Sequence, residues 1–329
     1  MTAPAPKAGI RVHPLAESEL GEADRIVRLA FGTFLSLPDP MQFMGDASYV
    51  HTRWKADPFA AVAAAVNARH DEKLIGTNFA TNWGSFSFFG PLTVDPAYWN
   101  RGVAQQMLAP TMEIFKRWNS AHLGLYTFSN SPAHVALYQK FGFWPRDLVA
   151  VMSKQVGASS SSAGSASQYS LFSDSPHEAR GQLLDACREV TEASFDGLDV
   201  QREICSVAAQ GLGDTVLLWD NSRLQAFAVC HAGRGSEAGT GVCYVKFAAA
   251  RPGPTGAKHF LGLLEAVEAF ARSVAATKVV AGVNYARREA FAEVSRSGFR
   301  TEMLGVAMET GADSSGYNRA GVYILDDWR

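Results

Sequence analysis

The sequence predicts an α/β protein built from two tandem units, and three observations support this. First, the order strand, glycine loop, helix, strand, asparagine, helix, Gly-Phe occurs twice along the chain. Second, Asn284 follows Asn130 by 154 residues, and Gly298 follows Gly142 by 156. Third, a Ser/Gly/Ala-rich run that cannot bury apolar surface lies between the copies. We therefore predict a first domain over 1–156, a linker over 157–168 and a second domain over 169–329.

Composition excludes several classes of protein. The chain has 329 residues, of which 47% are hydrophobic and 19% charged, so it can bury two ordinary cores. With a net charge of −2, the chain has no positive electrostatic field that would attract nucleic acid or an anionic membrane. The apolar runs are shorter than the roughly 18 residues of a membrane span, and Met1–Ala8 lacks the apolar core of a signal peptide. We expect a cytoplasmic protein, with a homodimer left open.

The four cysteines all lie in the second half and show neither disulfide nor metal-ligand spacing. They are Cys187, Cys205, Cys230 and Cys243. Buried free thiols are the expected state of such residues, and no metal site is predicted.

The N-terminal part of the first unit predicts a helix followed by a hairpin. Apolar residues recur at helical spacing over 15–34, and 35–58 is expected to be irregular because prolines and a glycine interrupt it. That segment is either a cover over a substrate or a packed surface loop. The stretch 59–66 is ambiguous between helix and strand, because its alanines favour a helix and its length and following polar turn favour a hairpin.

The stretch from Gly90 to Leu108 predicts a strand, a tight loop and a helix. Gly90-Pro91 interrupts the strand alternation as a bulge would, and apolar residues recur on one face of the helix. The amides of 100–104 can converge at the helix start, where unpaired N–H groups and the helix dipole favour an anion. Arg101 adds a charge, and glycine at 102 lets a phosphate approach the backbone. The alternative is plain turn chemistry.

A second strand at 121–128, then Asn130, Tyr138 and Gly142-Phe143, complete a pattern that resembles the GNAT superfamily of acyl-CoA-dependent N-acetyltransferases. The resemblance covers about residues 70–146. Arg101-Gly102-Val103-Ala104 is similar to the second half of the family's pyrophosphate loop. Trp99 departs from that pattern, because it stands where the family has a basic or polar residue.

This resemblance implies a fold and an activity. Each unit is expected to have a mixed, mostly antiparallel sheet flanked by helices, with a splayed pair of parallel strands, and the strand reading of 59–66 follows. The activity implied is transfer of an acetyl group from acetyl-CoA to a primary amine on a small molecule or peptide, with Tyr138 as general acid. Asn130 would bind the coenzyme arm or end the strand. The coenzyme would contact Leu92, Thr93, Val94, Asn100, Arg101, Gly102, Val103 and Ala104.

The general base is not identified by the sequence. Many family members carry a glutamate on the strand before the glycine loop, whereas 86–94 contains no acidic residue. Asp39, Asp46 and His51 are candidates by their place in the covering segment, and a water chain or a neutral amine would also serve. His134, at an expected exposed helix start, is expected to be inert.

The two copies differ in chemistry. Val294 stands where the first copy has Tyr138, and the nearest aromatic residue is Phe291, so neither can donate a proton. We expect the first copy to catalyse and the second to be structural, with residual acyl-CoA binding by its own glycine loop left open. Two alternatives remain: a non-catalytic acyl-CoA-binding or sensing protein in which both copies are degenerate, and catalysis by the second copy.

Overall fold

The computed structural model describes residues 9–67, 72–157, 169–310 and 316–328. Apart from residue 157, the predicted linker lies outside these described residues. The helices are α1 Leu20–Phe34, α2 Tyr49–Ala56, α3 Val103–Trp118, α4 Pro132–Gln139, α5 Arg180–Glu192, α6 Gln201–Gln210, α7 Gly256–Ser273 and α8 Arg288–Arg296. The strands of the first half are β1 Ile10–Pro14, β2 Ala61–Asn67, β3 Glu72–Trp83, β4 Phe86–Phe89, β5 Thr93–Val94, β6 His122–Phe128 and β7 Trp144–Gln155. Those of the second half are β8 Tyr169–Leu171, β9 Gly213–Asp220, β10 Arg223–Gly233, β11 Gly239–Ala250, β12 Lys278–Asn284, β13 Arg300–Glu309 and β14 Tyr323–Leu325.

The mixed α/β fold is confirmed, and the two halves of the chain have a similar order of elements. Each repeat contains one pair of parallel strands, β4 with β6 and β11 with β12, in an otherwise antiparallel sheet. The ambiguous stretch is a strand, β2, which pairs antiparallel with β3 as the hairpin interpretation predicts.

The two repeats share one sheet of 14 strands and exchange strands at its centre. Strand β13 of the second repeat lies between β6 and β7 of the first, and β7 of the first lies between β13 and β12 of the second. This order creates an approximate two-fold relation between β7 and β13. The domain limits at 156 and 169 remain a prediction, because β7 is part of both halves of the sheet.

The segment expected to be irregular contains a helix that the sequence analysis missed. Tyr49 and Val50 are buried in α2, and Trp54 donates from Nε1 to the carbonyl of Leu15 at 2.9 Å. Eight residues are too few for a clear helical period, which explains the wrong expectation there. Helix α1 begins at Leu20 rather than at residue 15, after a 3₁₀ turn.

The remaining features concern thiols and membranes. The four cysteines are free, as expected, although Cys205 is exposed while Cys187, Cys230 and Cys243 are buried.

Among the helices of the described residues, none has the length and apolarity needed to cross a bilayer.

Candidate active site

The parallel strands β4 and β6 stop pairing at Phe89 and Leu125, and the chain beyond each point diverges. Ala80 of β3 pairs with Phe89, and Thr77 of β3 pairs with Thr93. Three steps along β3 therefore face four steps along the other chain, so one extra residue is inserted after Phe89. The predicted bulge at Gly90-Pro91 is therefore present, and Gly90 has a φ of 152°. The bulge directs the strand away from β6 and opens the sheet.

The main chain of β5 alternates between β3 and this opening. Asp95 donates its N–H to Ile75 at 2.8 Å, so alternation along an antiparallel ladder also turns the main chain of Thr93 toward β3. Thr93 moreover shares a hydroxyl hydrogen bond of 3.0 Å with Thr77. Leu92 and Val94 consequently direct their main-chain groups away from β3. Three residues here were predicted to contact the coenzyme. Of these, Thr93 is the one whose main chain faces β3 instead of the opening.

The carbonyl of Val94 is already a hydrogen-bond acceptor. Trp99, the departure from the family pattern, donates its indole Nε1 to this oxygen at 2.7 Å. The indole thus fixes the loop that leads to α3. The Val94 carbonyl oxygen has two lone pairs, so a ligand lying along β5 could hydrogen-bond only to the one that Trp99 does not use.

The predicted anion site lies at the start of α3. Gly102 precedes the helix with a φ of 78°, and Asn100 has a φ of 61°, so both adopt the left-handed conformation. The N–H groups of the first helical turn point out of the helix end, as in anion-binding helix termini. Val103 is buried beneath them, while Asn100 and Arg101 are exposed.

Two cations lie near this helix start. The guanidinium of Arg101 is 5.1 Å from the ring centre of Tyr98, and the ammonium of Lys73 is 5.3 Å from the same ring. Lys73 was not predicted, because it comes from β3. The ammonium of Lys73 is also 4.0 Å from a carboxylate oxygen of Asp95.

The opening between the diverging strands is part of a cavity of about 510 Å³. Residues 89–92 and 126–128, at and beyond the ends of the parallel pairing, line it together with Tyr138 of α4. The hydroxyl of Tyr138 is hydrogen-bonded to the Thr127 side chain. Burial raises the pKa of Tyr138 well above its ordinary value, although the bond to Thr127 acts in the opposite direction. The phenol is therefore protonated at neutral pH.

His134 differs from the sequence expectation. It lies one helical turn before Tyr138 on α4 and is half-buried, with its ring 5.2 Å from that of Phe34 and 6.5 Å from that of Phe128. It lines the cavity, and its buried Nδ1 has no hydrogen-bond partner within the described part of the chain. Burial lowers the pKa of His134, so the imidazole is neutral at physiological pH. Asn130, by contrast, is exposed in the turn before α4.

None of the three acid–base candidates in the covering segment lines the cavity. Asp39 caps a 3₁₀ turn by accepting the N–H of Met41. Asp46 accepts from the hydroxyl and N–H of Thr240 at 2.6 and 2.8 Å, bonds that lower its pKa. His51 is exposed and bonded to Ser48.

The carboxylates that do line the cavity, Glu237 and Glu302, both come from the second repeat. Glu302 lies at the rim, where its carboxylate is 3.4 Å from the ammonium of Lys278. Glu237 is buried and holds Arg53 and Lys246 as ion-pair partners. Burial raises the pKa of Glu237, but these two cations outweigh it and hold that pKa below its usual range. No sequence pattern could reveal these residues, because the contacts arise only when the repeats pack together.

The equivalent opening of the second repeat contains the C-terminal strand. Strands β11 and β12 stop pairing after Val245 and Ala281, and beyond that point β14 pairs antiparallel with β11 through Ala248–Ala250. The ring of Tyr323 lies against Gly256 at the start of α7, 3.0 Å from where a Cβ would be. Arg251 of this loop is bound to the Leu224 carbonyl and to Glu189. The position equivalent to Tyr138 is Val294, which is buried in the core.

Comparison with known proteins agrees with this geometry. A profile of the Acetyltransferase (GNAT) family matches residues 31–143. A proposed acetyltransferase of Pyrococcus horikoshii superposes with a TM-score of 0.66 at 14% identity, covering 98% of this chain and 96% of its own. A GCN5-related N-acetyltransferase from Sphaerobacter thermophilus gives 0.61 at 14% identity, covering 93% of this chain and 98% of its own. One from Kribbella flavida gives 0.50 at 16% identity, covering 91% and 70%.

Among curated proteins no sequence matches the chain. The structural similarities, at 14–16% identity, establish the fold of the whole chain, whereas the profile locates the family within the first repeat. The chain thus has the fold of GCN5-related N-acetyltransferases, and its residues 31–143 match the acetyltransferase (GNAT) family, which supports acyl transfer as the general activity.

Proposed function

We propose that the protein is an acetyl-CoA-dependent N-acetyltransferase with one catalytic site, located in the first repeat. A single observation carries this proposal: the opening between β4 and β6 leads into a cavity lined by Tyr138, whereas the opening between β11 and β12 contains β14. In the family the coenzyme arm occupies such an opening. Here the first repeat has space for it and a proton donor beside that space.

Binding would use the main chain of two elements. The first-turn amides of α3, with Arg101 and Lys73, would hold the diphosphate. The main chain of Leu92 and Val94 would pair with the amides of the pantetheine arm, as an added strand pairs with a sheet edge. Asn130 lies at the end of β6, where it can reach the same arm from the opposite side.

Tyr138 would then act on the sulfur that leaves. Tyr138 lines the cavity and its hydroxyl remains protonated at neutral pH, so it would donate a proton or a hydrogen bond to the departing thiolate. Thr127 fixes the hydroxyl by sharing a hydrogen bond with it. This is the role expected of the residue at that position in the family.

His134 would take the proton that the amine loses. Residues one helical turn apart lie about 5–6 Å from each other on the same face, so His134 and Tyr138 both reach the cavity from α4. A neutral imidazole can accept a proton from the attacking nitrogen. His134 replaces Asp39, Asp46 and His51 as the preferred base.

Release of coenzyme A, followed by thiol titration over a panel of primary amines, tests this function. We expect release that depends on both acetyl-CoA and an amine. Acetyl-CoA binding without release on any amine would instead favour the non-catalytic binding or sensing protein. Turnover that survives disruption of the loop before α3, but not disruption of the loop before α7, would place the reaction in the second repeat.

A further inference from the structure

The cavity extends beyond Tyr138 into a space between the two repeats. One wall comes from α1 and the segment that follows it in the first repeat. Two stacked rings dominate this wall, Phe31 and Phe43, whose centres are 5.1 Å apart with an interplanar angle of 19°. The other members of this wall are Val27, Leu35 and Met44.

The opposite wall is the face of the sheet where the repeats exchange strands. Residues two apart on a strand share a face, so Val242 and Tyr244 of β11 line the cavity together, as do Lys278 and Val280 of β12. Met303 of β13 and Val151 of β7, which are paired in register, continue the same face. Both walls are therefore mainly apolar, and the second repeat contributes one of them.

A loop of the second repeat joins the two walls. Ser48 donates its N–H to Ser236 at 2.9 Å, and Gly235 donates to Asp46 at 3.1 Å. Asp46 also holds Thr240, as described above. Glu237 and Ala238 of this loop line the cavity, so the contact between the repeats fixes its shape.

Buried charges lie next to this space. Arg53 and Lys246 are surrounded by Glu203 and Glu237, and Asp327 accepts from the Tyr244 hydroxyl at 2.8 Å. His231 lies 3.7 Å from Glu203 in the same group, so basic side chains and carboxylates are matched in number there.

We infer that the acceptor is a primary amine on a compact apolar body, such as an arylalkyl or short alkyl chain, bound between the two repeats. This inference rests on the proposed acetyl transfer and names its substrate class. The body lies between the stacked rings and the β11–β13 face, and the amine points toward Tyr138. Met303 determines specificity from the second repeat. Polyamines and sugars are excluded, because several of their polar groups would lie unpaired against apolar walls.

The experiment compares 2-phenylethylamine and hexylamine with spermidine and glucosamine, using the full chain, acetyl-CoA and thiol titration. We expect kcat/KM to favour the apolar amines by about 100-fold. Met303→Glu should raise KM for 2-phenylethylamine by roughly tenfold or more while leaving the Kd of acetyl-CoA unchanged. Leu304→Glu is the matched control, because the neighbouring side chain is exposed. It should leave both constants unchanged.

Calorimetric binding of 2-phenylethylamine to the chain with coenzyme A separates the two levels of the argument. Preferential turnover of spermidine or glucosamine overturns the substrate class and leaves acetyl transfer intact. Absence of turnover on every amine, with 2-phenylethylamine bound by the wild type but not by Met303→Glu, contradicts the proposed function and supports the pocket. Failure of 2-phenylethylamine to bind, or equal loss in Leu304→Glu, overturns the inference.

Discussion

Gly282 of β12 has no side chain at the point where Asp327 lies against the strand: a Cβ there would be 2.3 Å from the Asp327 Cβ. A second glycine, Gly124 of β6, leaves space for the next residue in the same way, because a Cβ there would be 2.9 Å from the Trp328 ring. Two strands, one from each repeat, therefore provide space for the C-terminal segment. That segment fills the second opening with β14 and reaches the cavity of the first with Trp328.

Gly282→Ala should destabilise the protein by about 1–3 kcal/mol, because the added methyl group overlaps Asp327 in a closely packed site. Urea unfolding of the purified chain measures this change. Gly181→Ala is the control, since a Cβ at that helical position meets no atom within 4 Å. It should be neutral or gain up to about 1 kcal/mol. Equal effects of the two substitutions would show that the tail is not packed at Gly282.

Tyr138→Phe should lower kcat by about 100-fold or more while leaving the Kd of acetyl-CoA within a factor of about two. The ring keeps its packing against Phe89, whose centre is 5.6 Å away, so only the hydroxyl is lost. Initial rates of coenzyme A release and calorimetry provide the two constants. An unchanged kcat would refute the acid role. A parallel loss of affinity would point to a structural role instead.

The rate should fall at low pH, because His134 is active in the neutral form. Burial lowers the pKa of His134, so the acidic decline that it causes should set in below its ordinary value of about 6.5. The groups packed against its ring are Phe34 and Phe128, neither of which titrates. His134→Gln should lower kcat and remove the acidic limb of the profile. A variant that retains the limb would assign it to another group.

Gly102→Ala should weaken acetyl-CoA binding by roughly tenfold, because alanine at a φ of 78° costs about 1–2 kcal/mol and its methyl group keeps a diphosphate from the amides. Acetyl-pantetheine lacks the diphosphate, so its turnover should change little. Gly211→Ala has comparable strain, with a φ of 64° at the end of α6, where an added Cβ would meet no atom within 4 Å. Equal weakening by this control, or an equal effect on both thioesters, would contradict the anion site.

The parts of the site that could be predicted are those encoded by neighbouring residues. Gly102 and the start of α3 follow from local turn and helix chemistry, and Tyr138 follows from its place after Asn130 and before Gly142. The structure places Gly102 directly before α3 and Tyr138 in the lining of the cavity, and their roles stay predictions. The repeat of the fold was equally accessible, because it appears as similar elements at a constant spacing.

The parts that could not be predicted depend on contacts between distant segments. Glu237, Met303 and Tyr244 line the cavity only because β7 and β13 exchange places between the repeats. Strand β14 has three residues, and nothing local distinguishes it from a loop. His134 was expected to be exposed, because its contacts with Phe34 and Phe128 come from tertiary packing that the local sequence does not show.

The most direct test is a crystal structure of the chain with coenzyme A. We predict one molecule per chain, with its diphosphate on the amides at the start of α3 and its sulfur beside the hydroxyl of Tyr138, while β14 remains paired with β11. Coenzyme A on the loop before α7, with β14 displaced, would contradict it.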